Sequence, residues 1–297
     1  MRDDFAVFIL THGRADNVKT YKTLKKQGYT GKIYIVIDDE DEQEPIYYKN
    51  YGDKVYKFCK QTYIDRTDTM WGSEFRKVVV YARNACWDIA KELGLQYFCV
   101  LDDDYSMFGS RYVEGEKLMN FTFNDLDAVF DAFIEFLDES KALTVCMAQG
   151  GDFIGGKDSG TFHKGLLRKA MNVWFMRTDR PFKFMGRINE DTNAYVTYGQ
   201  RGELMFTCTN ANVVQAQTQK QKGGLTDVYL NDGTYVKSFF SVMSAPSCVK
   251  VAQMGSTNMR MHHKIDWEHC VPEILNEWYK KRSELNGEWA EPIAQVH

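Results

Sequence analysis

Apolar residues fall along the chain in short unbroken runs, with stretches of helical period between them. Phe5–Leu10, Lys32–Ile37 and Tyr97–Leu101 are nearly continuous in aliphatic and aromatic side chains. Runs of that length read as strands buried on both faces. Lys54–Phe58 alternates in polarity and reads as a short third strand. Leu143–Met147, Met171–Met176 and Leu204–Cys208 continue the series. Between them, Asp16–Gln27 predicts a helix with Asp16 as N-cap and Gly28 as its stop. Ser73–Leu93 predicts a second, with Val79, Ala82, Cys86, Ile89, Ala90 and Leu93 at three- and four-residue steps and Gly94 as its end. Phe121–Ser140 holds a third, capped by Asn124, with Leu126, Val129, Phe130, Phe133, Ile134 and Leu137 on its inner face. A terminal helix is expected over His269–Arg282. Strands alternating with helices predict an α/β domain with a mostly parallel sheet. Asp65–Gly72, with Trp71, reads as a loop over that sheet and a possible lid. Gln215–Thr226, with Lys220, Lys222, Gly223 and Gly224, reads as a second polar loop.

Composition narrows the class. The 297 residues, 44% of them hydrophobic, suit one large α/β domain, and no repeat or composition break divides them. No apolar run is long enough to span a bilayer. Met1-Arg2-Asp3-Asp4 lacks a signal-peptide pattern, so a cytoplasmic protein is expected. The seven cysteines are scattered and never spaced as CxxC, which predicts reduced thiols rather than a disulfide framework or a zinc knuckle. The net charge of −4 hides a basic stretch. Lys157, Lys164, Arg168, Lys169, Arg177, Arg180, Lys183 and Arg187 stand there against only Asp158 and Asp179, a local field that would draw a polyanion.

The chemistry gathers at strand ends. Tyr97–Leu101 runs into Asp102, Asp103 and Asp104. Carboxylates at the C-terminal end of a buried strand lie at the mouth of an open α/β sheet, where ligands bind. Three adjacent acids repel one another, and a hard cation relieves that. The first strand ends in Thr11, His12, Gly13 and Arg14, a tight turn before a helix. The second ends in Asp38 and Asp39, placed to meet a base or ribose. Gly150, Gly151, Gly155 and Gly156 bracket an apolar insert, a pattern suited to close approach of backbone to a ligand. Glu190 and Asp191 open a short helix, and His262 and His263 stand near the end of the chain. Trp71, Trp174 and Phe182 are stacking or wedge candidates that read more readily as core.

Taken in order, Tyr81-Ala82-Arg83-Asn84, the strand ending in Asp102-Asp103-Asp104, Glu190-Asp191 and His262-His263 resemble the GT-A glycosyltransferases of the family-2 type. The small size, the stretch Gly150–Gly156 and the ending Met261–Trp267 further resemble the TET-associated glycosyltransferases of bacteriophages, which glycosylate hydroxymethylated pyrimidines in DNA.

The resemblance implies a Rossmann-like, three-layer α/β/α fold in a single domain over 1–297. Residues 1–108 would form the nucleotide-sugar half, and 109–297 the acceptor half with its C-terminal helix. It implies a UDP-sugar donor and a divalent ion, Mn²⁺ or Mg²⁺, on Asp104 and Asp102, completed by His262 or His263. Thr11, His12, Gly13, Arg14, Asp39, Arg83, Asn84, Asp102, Asp103, Gly150 and Gly151 would line the donor site, with Asp38 on the uracil and Asp102 nearer the ribose or the sugar. Asp191 or Glu190 would take the acceptor proton. The basic residues from Lys157 to Arg187 would hold DNA phosphates. A monomer or weak dimer is expected, in the host cytoplasm if phage-encoded. A polysaccharide, lipid or protein acceptor, or a nucleotidyltransferase on a similar scaffold, is the alternative.

Overall fold

The computed structural model describes residues 1–71, 75–215, 226–254, 260–270 and 274–279. In chain order the elements are β1 (Phe5–Leu10), α1 (Lys19–Lys26), β2 (Lys32–Asp38), α2 (Glu44–Tyr51), β3 (Val55–Phe58), α3 (Lys60–Ile64), α4 (Val80–Glu92), β4 (Tyr97–Asp102), β5 (Met107–Glu114), β6 (Lys117–Thr122), α5 (Leu126–Ser140), β7 (Thr144–Ala148), β8 (Leu166–Leu167), β9 (Asn172–Arg177), α6 (Glu190–Gln200), β10 (Met205–Val214), α7 (Thr226–Ser244), β11 (Val249–Met254), β12 (Arg260–Ile265) and α8 (Trp267–Cys270).

One sheet runs β3-β2-β1-β4-β9-β7-β10-β5-β6, with β8 on β10. β1 pairs in parallel with β2 and β4, β2 with β3, and β7 with β10. β9 lies antiparallel between β4 and β7, so the sheet is mixed with one prevailing direction. β1 is buried along its whole length. Ala6, Phe8 and Leu10 face a core built on α4, whereas Phe5, Val7 and Ile9 face one built on α5. That two-sided burial is why its sequence is a continuous apolar run. The three layers are those of the α/β fold expected from the resemblance. None of the described helices is long and apolar enough to cross a membrane.

Several local expectations need correction. α1 begins at Lys19, and Asp16 instead accepts from Asn50 Nδ2 at 3.0 Å. α5 is capped by Asp125, whose side chain accepts from Ala128 N at 3.1 Å, rather than by Asn124. α4 is a turn or more shorter than expected and begins at Val80. Residues 72–74 of the lid and helix start lie outside the described residues, as do 216–225 of the second polar loop. The hairpin β5–β6, the helix α7 and the hairpin β11–β12 carry little periodic signal and were not expected. Cys248 and Cys270 form a disulfide, so the cysteines are not all reduced thiols. In place of the long terminal helix there are α8 and a short 3₁₀ turn at Glu277–Tyr279, and the residues from 280 on lie outside the described ones.

Candidate active site

β4 ends at the acidic triplet, and the first turn of α1 grips the turn that follows. Thr20 N donates to Asp103 O at 3.1 Å and Thr20 Oγ1 to Asp102 O at 2.6 Å, while Tyr105 N donates to Thr20 Oγ1 at 2.9 Å. The three carboxylates then take different fates. Asp103 is only 4% exposed. It accepts from Thr11 Oγ1 at 2.6 Å and from Arg14 Nη1 at 2.8 Å. Asp102 and Asp104 remain half-buried. Among the described residues Asp104 makes no ion pair. Burial, then Asp102 and Asp103, push its carboxyl up to about 6 against the opposing pull of Arg14. Thus Asp103 and Arg14 brace the turn, and Asp102 and Asp104 keep part of their surface exposed.

The end of β2 is a buried charge cluster. Asp38 meets Lys60 Nζ at 2.7 Å and His12 Nδ1 at 2.9 Å. Burial pushes its pKa up, but the bonds from His12 and Lys60 outweigh that and hold it below its ordinary value. Asp39 accepts from Lys60 N at 2.9 Å, so its carboxylate is spent on the start of α3. Gly13, at φ +68°, turns its N–H to Asp41 Oδ2 at 2.8 Å. Lys60, nearly fully buried, had no sequence signal beyond its place after β3.

α4 and α6 supply the opposite wall. Arg83 is buried against the rings of Trp174 and Phe184. Its Nη1 lies 3.0 Å from Glu190 Oε1 and its Nη2 3.7 Å from Asp102 Oδ1. Burial pushes the Glu190 carboxyl up to about 7, with Asp191 adding to the shift and Arg83 opposing it. Asp191, the next residue, is half-buried. Asn84 spends its amide inside the fold. It donates to Phe184 O at 3.0 Å and accepts from Phe184 N at 2.9 Å, so it fixes the segment on which Arg83 rests.

Three polar residues at the site escaped sequence reasoning. The Tyr105 hydroxyl donates to Asn172 Oδ1 at 3.0 Å and lies 3.5 Å from Asp102 Oδ2. Asn172 Nδ2 donates to Gln149 Oε1 at 2.5 Å. Gln149 caps the turn that holds Asp152, and Asp152 pairs with Lys169. Val173 sits beside Asn172 at φ +55°, fully buried, where the β7–β9 register skips a residue. A β-branched residue held there costs on the order of 1–3 kcal/mol. Gly150 and Gly151 have ordinary φ, and an added Cβ at either would meet open space, so neither is a forced close approach. Gly155 and Gly156 do take positive φ.

The expected metal shell of Asp104, Asp102 and one histidine is not assembled among the described residues. Among the described residues no group of three or more His, Cys, Asp or Glu side chains could hold a metal ion. β11 and β12 pack on α7, which packs on α6, and His263 comes to Asn189 at the start of α6. His263 Nδ1 lies 3.4 Å from Asn189 Nδ2, and burial, His262 and Lys237 hold its pKa down to about 3. His262 Nδ1 bonds to the His263 carbonyl at 2.9 Å.

Nor do the basic residues form one track. β9 runs antiparallel, so it carries the chain from the Asp102 end of the sheet to the opposite end, with Arg177 level with Tyr97. Arg177 pairs there with Asp138 and Asp179, and Arg180 donates to the Leu137 and Ala142 carbonyls. Lys183 follows them; its backbone N–H donates to Tyr198 OH. Arg187 is 1% exposed and stacks on Trp71, Phe75 and Phe240. Lys157 pairs with Asp158 and Glu116 on the surface, and Lys164 is exposed. Arg168 lies over Phe206. Trp174 and Phe182 are core, and Trp71 is 61% exposed.

A family model described as TET-Associated Glycosyltransferase matches residues 5–224. Among solved structures the chain is similar to S. aureus TarS, at 12% identity and TM-score 0.42, covering 73% of this chain and 37% of that one. A TarS structure of residues 1–349 gives 12% identity and TM-score 0.42, with 72% of this chain and 61% of that one covered. The chain therefore spans less than two thirds of the length of either TarS chain. A mycobacterial protein is similar at 8% identity and TM-score 0.42, covering 88% of this chain and 83% of that one. No curated relative matches the chain.

Proposed function

The chain belongs to the TET-associated glycosyltransferases, and from that premise we propose that it moves a sugar from a UDP-sugar to the hydroxymethyl group of 5-hydroxymethylcytosine in DNA. The observation that supports this reading most is the division of the acidic triplet. Asp103 is spent inside the fold, while half-buried Asp102 and Asp104 repel each other, and Asp104 is pushed up to about 6. Two hard oxygen donors held together at that cost suit a divalent ion such as Mn²⁺ or Mg²⁺. When bound, such an ion neutralises charge on the departing diphosphate as a Lewis acid.

The chain's own groups do the rest in this proposal. Arg83 is a buried cation between Asp102 and Glu190, on the side where the donor's diphosphate and sugar would lie. Glu190 is occupied with Arg83, which leaves half-buried Asp191 as the base. Asp191 takes the proton of the acceptor hydroxyl as its oxygen bonds to the anomeric carbon. The bond from that carbon to the phosphate oxygen breaks, and UDP leaves with the electron pair. A base of this kind contributes about 10²–10⁴-fold. Of the basic stretch, Lys157, Lys164 and Lys169 lie in the segment between the end of β7 and the start of β9, on the Asp102 side of the sheet, whereas Arg168 follows β8 to the level of Phe206 in mid-sheet. Lys157 and Lys164, the exposed pair on that side, are the ones proposed to meet phosphates.

The test is to incubate the protein with UDP-sugars, Mn²⁺ and DNA with or without 5-hydroxymethylcytosine, then digest the DNA and weigh the nucleosides. A sugar-sized gain confined to the modified DNA is expected. UDP-sugar consumption with no gain on DNA would refute the acceptor and turn attention to a polysaccharide, lipid or protein.

A further inference from the structure

Asp102 reaches its two flanking groups by different oxygens. Arg83 Nη2 stands 3.7 Å from Oδ1, and the Tyr105 hydroxyl 3.5 Å from Oδ2, at the outer limit of a hydrogen bond. Tyr105 is fully buried and has one proton to give. That proton goes to Asn172 Oδ1, at 3.0 Å, or to Asp102. Asn172 has no freedom to turn away. Its Nδ2 is held by Gln149 Oε1, and its backbone is set by the bulge at Val173, which breaks the register between Cys146–Trp174 and Met147–Asn172. Bulges re-aim side chains in this way beside active sites. Gln149 in turn begins the turn that carries Asp152 and its Lys169 partner. A chain of side chains therefore runs from the glycine-bracketed segment to the carboxylate at the end of β4.

We propose that Asn172 is a positioning residue for Asp102, acting through the hydroxyl of Tyr105. This deepens the reading of Asp102 as part of the donor site and rests on it. Asn172 takes the Tyr105 proton and fixes where the phenol oxygen stands. With its proton on Asn172, the Tyr105 oxygen turns a lone pair toward Asp102 Oδ2 at 3.5 Å, and that repulsion sets which way the carboxylate faces. Gln149 makes that orientation depend on the seating of the segment from 149 to 156.

Two variants test this, Tyr105→Phe, which removes one oxygen and keeps the ring, and Asn172→Ala. The first measurement is a crystal structure of each variant without ligands, in which the Asp102 carboxylate is expected to leave the orientation seen beside Tyr105. The second is Mn²⁺ affinity of the purified protein, read from the free-ion electron paramagnetic resonance signal. Each variant is expected to weaken binding about 10-fold, the usual loss when a ligand's outer partner is removed. The double variant is expected to lose no more than either single, because the two residues act in series. The KM for the ion should rise with kcat at saturating ion nearly unchanged, a split that general loss of fold does not produce. An unchanged Asp102 rotamer in Tyr105→Phe overturns the proposal, as does a double variant whose losses add. If the wild-type protein binds no Mn²⁺, the metal reading fails, and the Asp102 rotamer still decides the role of Asn172.

Discussion

Arg83 is the buried cation on which the site's electrostatics turn, and replacing it with methionine of similar length isolates its charge. It is 5% exposed, and Glu190, its partner at 3.0 Å, is 4% exposed. Removing one member of a buried pair leaves the other charge uncompensated, at about 3–5 kcal/mol. That figure applies only where Glu190 is ionised. Its folded pKa is already raised to about 7 from an ordinary 4.5, because burial outweighs Arg83. The folded state thus binds this proton more tightly than the unfolded chain, and stability falls as pH rises through that interval. Without Arg83 the pKa rises further and the interval widens upward. Arg83→Met should therefore lose about 3–5 kcal/mol at pH 8.5 and much less at pH 5, where Glu190 takes up a proton in the folded state. Urea denaturation of the variant and wild type at both values measures it. Arg83→Met combined with Glu190→Gln should recover most of the loss at pH 8.5, since neither charge is then buried. A loss equal at both pH values, or a double variant no more stable than the single, would refute the pairing as the source.

The triplet should divide under mutation as it does in space. Asp103→Ala, which strips two charge-assisted bonds, should cost about 2–4 kcal/mol in urea unfolding, whereas Asp102→Ala should cost little. Asp104→Asn should lower sugar-transfer turnover by about 10² or more. It should leave the fold at least as stable as wild type above pH 7, because burial disfavours the ionised carboxyl it replaces; a less stable variant would contradict the raised pKa. For DNA affinity against salt, Lys157→Ala and Lys164→Ala should each reduce the slope of log K on log salt by about 0.9. Arg177→Ala should leave the slope unchanged while lowering the melting temperature, and an equal change in slope would restore the single basic track.

Much of the parallel half of the fold was legible because two-sided burial writes itself as an unbroken apolar run. β1, β2 and β4 could be placed within a residue or so, and with them the strand ends that carry Thr11–Arg14, Asp38 and Asp102–Asp104. The helices α4 and α5 announced themselves by period, though their ends shifted where a cap was made by Asp125 rather than Asn124. The hairpins β5–β6 and β11–β12 were invisible, since strands with an exposed face and an irregular pattern resemble loops. The disulfide between Cys248 and Cys270 was equally hidden, because spacing along a chain says nothing about which cysteines meet, here two that are 22 apart in sequence.

What only the tertiary structure decided is direction and partnership. The charges in the stretch from Lys157 to Arg187 are present in the sequence, but the antiparallel course of β9 sends Arg177 and Arg180 to the far end of the sheet and folding buries Arg187. The histidines are likewise present, but the hairpin that bears them packs against α7. Conversely, Asn172, next to a bulge at Val173 that has no local signature, links Tyr105 beside Asp102 to Gln149. The sequence alone determined that a buried strand ends in three carboxylates. Which carboxylate is tied down and which stay half-exposed depends on distances of 2.6 to 3.7 Å between residues far apart in the chain, and only folding sets these.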